Sequence, residues 1–165
     1  MGEIIKVDFN TNSDETSSEP IANYTQHASE GKEYKNYRYT DIREIAKIIR
    51  KRLKKDCPKC KFSVTISRYA GGQSMDISLM SGPFDGFNSK NKDRGHAQIN
   101  QYSLEDSKDS ILSKEALEIM IKAYKIANSY NYDDSDSMID YFDTNFYLHL
   151  NIGKWDKDFI NNKEI

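Results

Sequence analysis

Apolar and polar positions follow two different periods along this chain, and the changes between them mark its elements. Ile42, Ile45, Ile49 and Leu53 recur at helical spacing while charged residues fill the positions between, which predicts an amphipathic helix. Thr40 reads as its N-cap, with Asp41 and Glu44 in the first turn and lysines in the last. Pro58 stops it, because the residue before a proline is pushed out of the helical region. Phe62, Val64 and Ile66 then alternate with Ser63, Thr65 and Ser67, the period of a strand with one buried face. After Gly71-Gly72 the alternation resumes over residues 73–80 through Met75, Ile77 and Leu79, so an antiparallel hairpin is expected. Ser81-Gly82-Pro83 ends it.

A second helix is expected over residues 111–129, with Leu112, Ala116, Ile119, Met120, Ala123 and Ala127 facing inward and Asp109 or Ser110 as the cap. Phe146, Leu148, Leu150 and Ile152 alternate with Tyr147, His149 and Asn151 as a closing strand. Residues 85–110 are polar and contain glycine, with Phe84, Phe87, Ile99 and Tyr102 as candidate anchors. Upstream, Ile5, Val7 and Phe9 alternate weakly, residues 11–20 carry almost no apolar side chain, and residues 21–38 show no clear period. The pattern predicts an α+β fold, an antiparallel sheet of three to four strands packed on two helices. Residues 1–38 would be a partly flexible N-terminal strand and polar arm, and residues 39–165 the α+β domain.

The length of 165 residues suits one domain. Charged residues make up 30% against 37% hydrophobic, so the core is modest and the surface strongly solvated. Eleven tyrosines against one tryptophan, Trp155, favour half-exposed sheets and recognition surfaces. The net charge of -2 would argue against a nucleic-acid binder if it were evenly spread. It is not: residues 43–61 are strongly basic, whereas Asp133, Asp134, Asp136, Asp140 and Asp143 have no basic residue among them. Opposed patches of this kind suit an acidic ligand on one face and a basic protein on the other. No apolar run is long enough to span a bilayer and no cleavable signal pattern opens the chain. With only Cys57 and Cys60 as cysteines, a cytoplasmic protein without membrane contact is expected.

Catalytic chemistry is hard to assemble from these residues. Cys57-Pro58-Lys59-Cys60 has metal or redox spacing, but no second pair exists and His27, His96 and His149 are not at ligand spacing. The pair follows a helix C-terminus, where the dipole opposes a thiolate, so a structural turn is expected. Asp133-Asp134-Ser135-Asp136 lacks the glycine and glutamate a calcium loop needs at its sixth and twelfth positions, with Met138 at the sixth. Gly71-Gly72 is too short to cradle phosphate. A metal-dependent nuclease would need Asp76, Asp85 and Asp93 brought together, which the sequence does not do. The expectation is therefore a protein without cofactor or metal, more consistent with a binder than an enzyme. Arg43, Lys47, Arg50, Lys51 and Lys54 on the basic helix, with Arg68 near the hairpin tip, are the candidate nucleic-acid contacts. The five aspartates are the candidate partner contacts.

Tyr39-Thr40, Ile45-Ala46, Ile48-Ile49-Arg50, Leu53-Lys54, Lys61-Phe62-Ser63-Val64, Gly71-Gly72 and Ser81-Gly82-Pro83 together resemble a large-polyvalent-protein-associated domain. Asn131-Tyr132-Asp133, Ser135-Asp136 and Asp140-Tyr141-Phe142 resemble the tail of such a domain, so the likeness runs from residue 39 to about 152. Such domains occur in phages, plasmids and conjugative elements, often fused to DNA-handling or anti-defence modules. The resemblance implies a mobile-element origin, in the cytoplasm of a bacterial host, and carries over no catalytic residue. On that basis the expected function is a non-enzymatic inhibitor of a host defence nuclease, of anti-CRISPR or anti-restriction type. It would bind the effector or its guide RNA or DNA, the aspartates mimicking phosphates or the basic helix engaging nucleic acid. The alternative is a nucleic-acid-binding module for DNA transfer or replication.

Overall fold

The computed structural model describes residues 29–135 and 143–163. The expected N-terminal strand and most of the polar arm lie outside these residues, as do Asp136 and Asp140. In chain order the elements are β1 (Ser29–Glu30), α1 (Tyr34–Tyr37), α2 (Ile42–Asp56), β2 (Lys61–Tyr69), β3 (Gly72–Gly82), β4 (Ala97–Ile99), α3 (Lys114–Asn128), β5 (Tyr132–Asp133), β6 (Tyr147–Ile152) and β7 (Ile160–Asn161). The fold is α+β. Two compact units divide the chain, and residues 30–132 with 145–163 form the larger one, which carries the main sheet, α2 and α3. Among the described residues of the smaller unit, the Asp134 amide donates to Asp143 O at 2.7 Å and Asp133 bridges Thr144.

The basic helix forms as its spacing demands. Ile42, Ile45, Ala46, Ile49 and Leu53 are buried on one face of α2. Its cap is Asp41 rather than Thr40: Asp41 is extended and its carboxylate accepts from the Arg43 amide at 2.8 Å, taking up one of the helix's orphan donors. The Cys57 amide closes the other end on Leu53 O, just before Pro58. Helix α3 starts at Lys114, three residues after the expected point. Ser113 Oγ accepts from the Ala116 amide at 3.1 Å, while Ser110 Oγ serves the Leu112 amide and Leu112 bridges back to Phe87. The chain is thus held out of the helix until Ser113.

Among the described residues, five strands build the main sheet in the order β2-β3-β6-β4, with β7 also on β3. β2 and β3 are the expected antiparallel hairpin, and Tyr69 pairs with Gly72, so the turn proper is Ala70-Gly71 with Gly71 at φ 92°. β4 runs antiparallel to β6, but β6 and β7 run parallel to β3, so the sheet is mixed. The connection from β3 to β6 carries α3, the crossover that a parallel pair requires. One sheet face supplies Val64, Met75, Ile77, Leu79, Leu148, Leu150 and Ile152 to the core, where α2 and α3 cover it. Each such side chain contributes roughly 1.5–3 kcal/mol when fully buried. Of the four expected anchors after the hairpin, Phe87 and Ile99 are buried and Phe84 stacks on Phe159 at 6.0 Å. Tyr102 anchors nothing in the core, being 80% exposed.

Candidate functional site

Because strand side chains alternate, the residues between the core positions must point away from the helices. The register turns this into rows. Thr65, Asp76 and His149 face one another across β2, β3 and β6, and Ser63, Ser78, Asn151 and Gln98 form the next row across all four strands. All of these but Ser63 floor an open groove of about 900 Å³, completed by Arg94, His96, Lys154 and Trp155.

His149 Nδ1 lies 2.7 Å from Asp76 Oδ1. A carboxylate only accepts, so Nδ1 carries a proton, and in the neutral imidazole Nε2 is an acceptor. Lys154 follows β6 and reaches across the groove to donate to Ser63 Oγ at 2.8 Å. Gly153 makes this possible: its φ is 66°, and a Cβ there would come within 2.5 Å of Gly95 O. The Lys154 amide donates to Lys157 O at 2.8 Å and the Lys157 amide returns to Lys154 O at 3.1 Å. This tight turn holds Trp155 out at 84% exposure. With Ala97 opposite Ile152 on antiparallel strands, His96 and His149 are offset by four residues, about 13 Å at the usual strand rise. The two histidines thus stand at different points along the groove.

Of the cations expected on the basic helix, Arg43 and Lys47 pair locally and Arg50 alone bonds another element. Arg43 Nε lies 3.2 Å from Asp41 Oδ1 and Arg68 Nη2 lies 2.7 Å from it. The two guanidiniums hold the Asp41 carboxyl well below the usual carboxylate range, and Asp41 raises Arg43 in turn. Lys47 pairs with Glu44 at 3.1 Å, and Arg50 Nη2 donates to Val64 O at 2.7 Å. Lys51 and Lys54 make no ion pair among the described residues. Arg52, outside the expected set, donates to the Tyr130 hydroxyl at 3.2 Å and lies over that ring at 5.8 Å. Of the aspartates, Asp143 is exposed, Asp133 half-buried with its carboxylate accepting from the Ser135 amide, and Asp134 buried. Asp136 and Asp140 fall outside the described residues.

Cys60 donates its amide to Cys57 O at 3.1 Å, closing a turn. Burial raises both thiols, with the neighbouring Cys57 adding to the effect on Cys60, which is pushed up to about 11. Among the described residues, no three His, Cys, Asp or Glu side chains gather as a metal site. Asp76 instead pairs with His149, and Asp85 accepts from Asn161 at 2.9 Å. No described helix is long and apolar enough to cross a membrane. The groove itself was missed by sequence reasoning. Its one local signal is the polar half of each alternation, and only the register shows that those halves meet.

No curated protein and no solved structure matches the chain. One family does, over residues 40–134, more than half of the chain and within the span where the resemblance was seen. The matched segment covers α2, β2, β3, β4 and α3, so Asp76, Arg94 and His96 lie inside it, while His149, Lys154 and Trp155 lie beyond it. The chain belongs to the large polyvalent protein associated domain 29 family, and with it to proteins associated with phages and other mobile elements.

Proposed function

We propose that the protein is a nucleic-acid-binding module of a mobile element and that the polar sheet groove is its contact surface. The observation that carries this reading is Trp155, held almost fully in solvent beside Arg94 and Lys154 on the sheet face opposite α2 and α3. An exposed indole offers a base a stacking surface, and two flanking cations offer phosphates a countercharge. The hydroxyl of Thr65 and the amides of Asn151 and Gln98 supply hydrogen-bond partners on the floor. The charge is modest, because Asp76 sits on the same floor. Base and sugar contacts therefore carry more of the affinity than phosphates do.

Trp155 is the only tryptophan, so its fluorescence reports on the groove directly. Titration with oligonucleotides should quench it, and the log of the binding constant should fall with log salt at a slope of about -1.4 to -1.8 for two neutralised phosphates. Reversing Arg94 and Lys154 to Glu should abolish the quench. Absence of quenching and of any nucleic-acid binding at low salt defeats the reading. The inhibitor of a host defence nuclease then returns as the working alternative, with effector proteins as bait and charge reversal of Asp133 and Asp143 as the probe.

A further inference from the structure

We infer that the groove takes single-stranded nucleic acid, and that His149, positioned by Asp76, reads a hydrogen-bond donor on it; this rests on the nucleic-acid reading above. In a duplex each base face is already covered by its neighbours, so an indole on a sheet surface gains a stacking partner only from an unpaired base. Trp155 stands at one end of the groove, on the turn after β6. His149 stands in the row furthest from that turn, on the same strand. A ligand touching both must run along β6, which a flexible single strand does and a rigid cylinder does not. The 2.7 Å bond to Asp76 fixes the ring's orientation, and in the neutral imidazole it leaves Nε2 as an acceptor. Its partner is therefore a donor: a ribose 2′-hydroxyl, or an exocyclic amine of adenine, guanine or cytosine.

The test uses the full chain with oligonucleotides of matched length: single-stranded RNA, single-stranded DNA, their duplexes, and homopolymers with and without base amines. Single strands should bind at least tenfold more tightly than duplexes and quench Trp155. His149→Phe should lose about tenfold in affinity for the donor-bearing ligand, the loss expected for one unmade hydrogen bond. His149→Gln, whose amide oxygen comes near the position of Nε2, should lose less, and Asp76→Ala should lose a few-fold by releasing the ring. A shared preference for RNA identifies the 2′-hydroxyl as the donor, and a preference for amine-bearing bases identifies the base. Melting curves identify any variant that fails to fold, and His149→Gln keeps the test open if His149→Phe is one. Equal binding of duplexes, or undiminished binding by folded His149→Phe and Asp76→Ala, overturns this inference and leaves the nucleic-acid reading standing. No binding of any ligand overturns both.

Discussion

At the scale of single residues, Gly153 and Cys60 have the sharpest consequences. Gly153 sits at φ 66°, and the atom nearest to an added Cβ is the backbone oxygen of Gly95, which no side-chain rotation can move. Gly153→Ala should therefore cost about 1–2 kcal/mol in thermal or urea unfolding. It should also shift the fluorescence of Trp155, two residues on, because the turn leaves the sheet at a new angle. An unchanged spectrum with lowered stability would show that the turn is set by Lys154 and Lys157 alone. Cys60 has its thiol raised from 9.0 to about 11 by burial and by Cys57. Its proton is held more tightly folded than unfolded, so its contribution to stability is complete below pH 9 and is lost as pH rises towards 11. Iodoacetamide labelling followed by mass spectrometry should find Cys60 slow at pH 8 and fast above pH 10. Rapid labelling at pH 8 would contradict the buried turn.

At the scale of elements, caps decide where helices start, and α3 gives the clearest case. Ser113 Oγ accepts from the Ala116 amide and donates to Asp85 O at 2.5 Å, tying the helix start to the loop after β3. Ser113→Ala should cost about 1 kcal/mol or somewhat more, and Ser110→Ala less, measured by chemical denaturation. The order of the two is the test, since the sequence leaves the cap open between Asp109 and Ser110 and the structure places it at Ser113. That ambiguity is why the start of α3 was illegible while α2, with a five-residue apolar stripe, and β2, with strict alternation, could be read almost to the residue. β4 escaped notice because it has three residues and a single buried side chain, Ile99. The groove was less legible still. Asp76 and His149 are neighbours only because β6 enters parallel to β3 after a crossover through α3, and no local pattern encodes that pairing.

At the scale of the larger compact unit, the sheet has two faces with different work, and its cations divide accordingly. Arg50 and Arg52 hold β2 and Tyr130 from α2, whereas Arg94 and Lys154 line the groove on the opposite face. Lys51 and Lys54 belong to neither set, having no ion pair among the described residues. Charge reversal separates the three groups. Arg50→Glu should destabilise the fold by about 1–3 kcal/mol, because Val64 O loses a charged donor at the sheet edge. Lys51→Glu with Lys54→Glu should leave stability within about 0.5 kcal/mol, as for ordinary surface changes, and leave nucleic-acid affinity nearly unchanged. Arg94→Glu with Lys154→Glu should spare most of the stability and remove binding. The reverse result, with affinity lost through Lys51 and Lys54 and kept through Arg94 and Lys154, would move the contact to the helix face. Melting and titration of the three variants side by side are enough to decide, because each group touches a different surface and the effects of distant sites add.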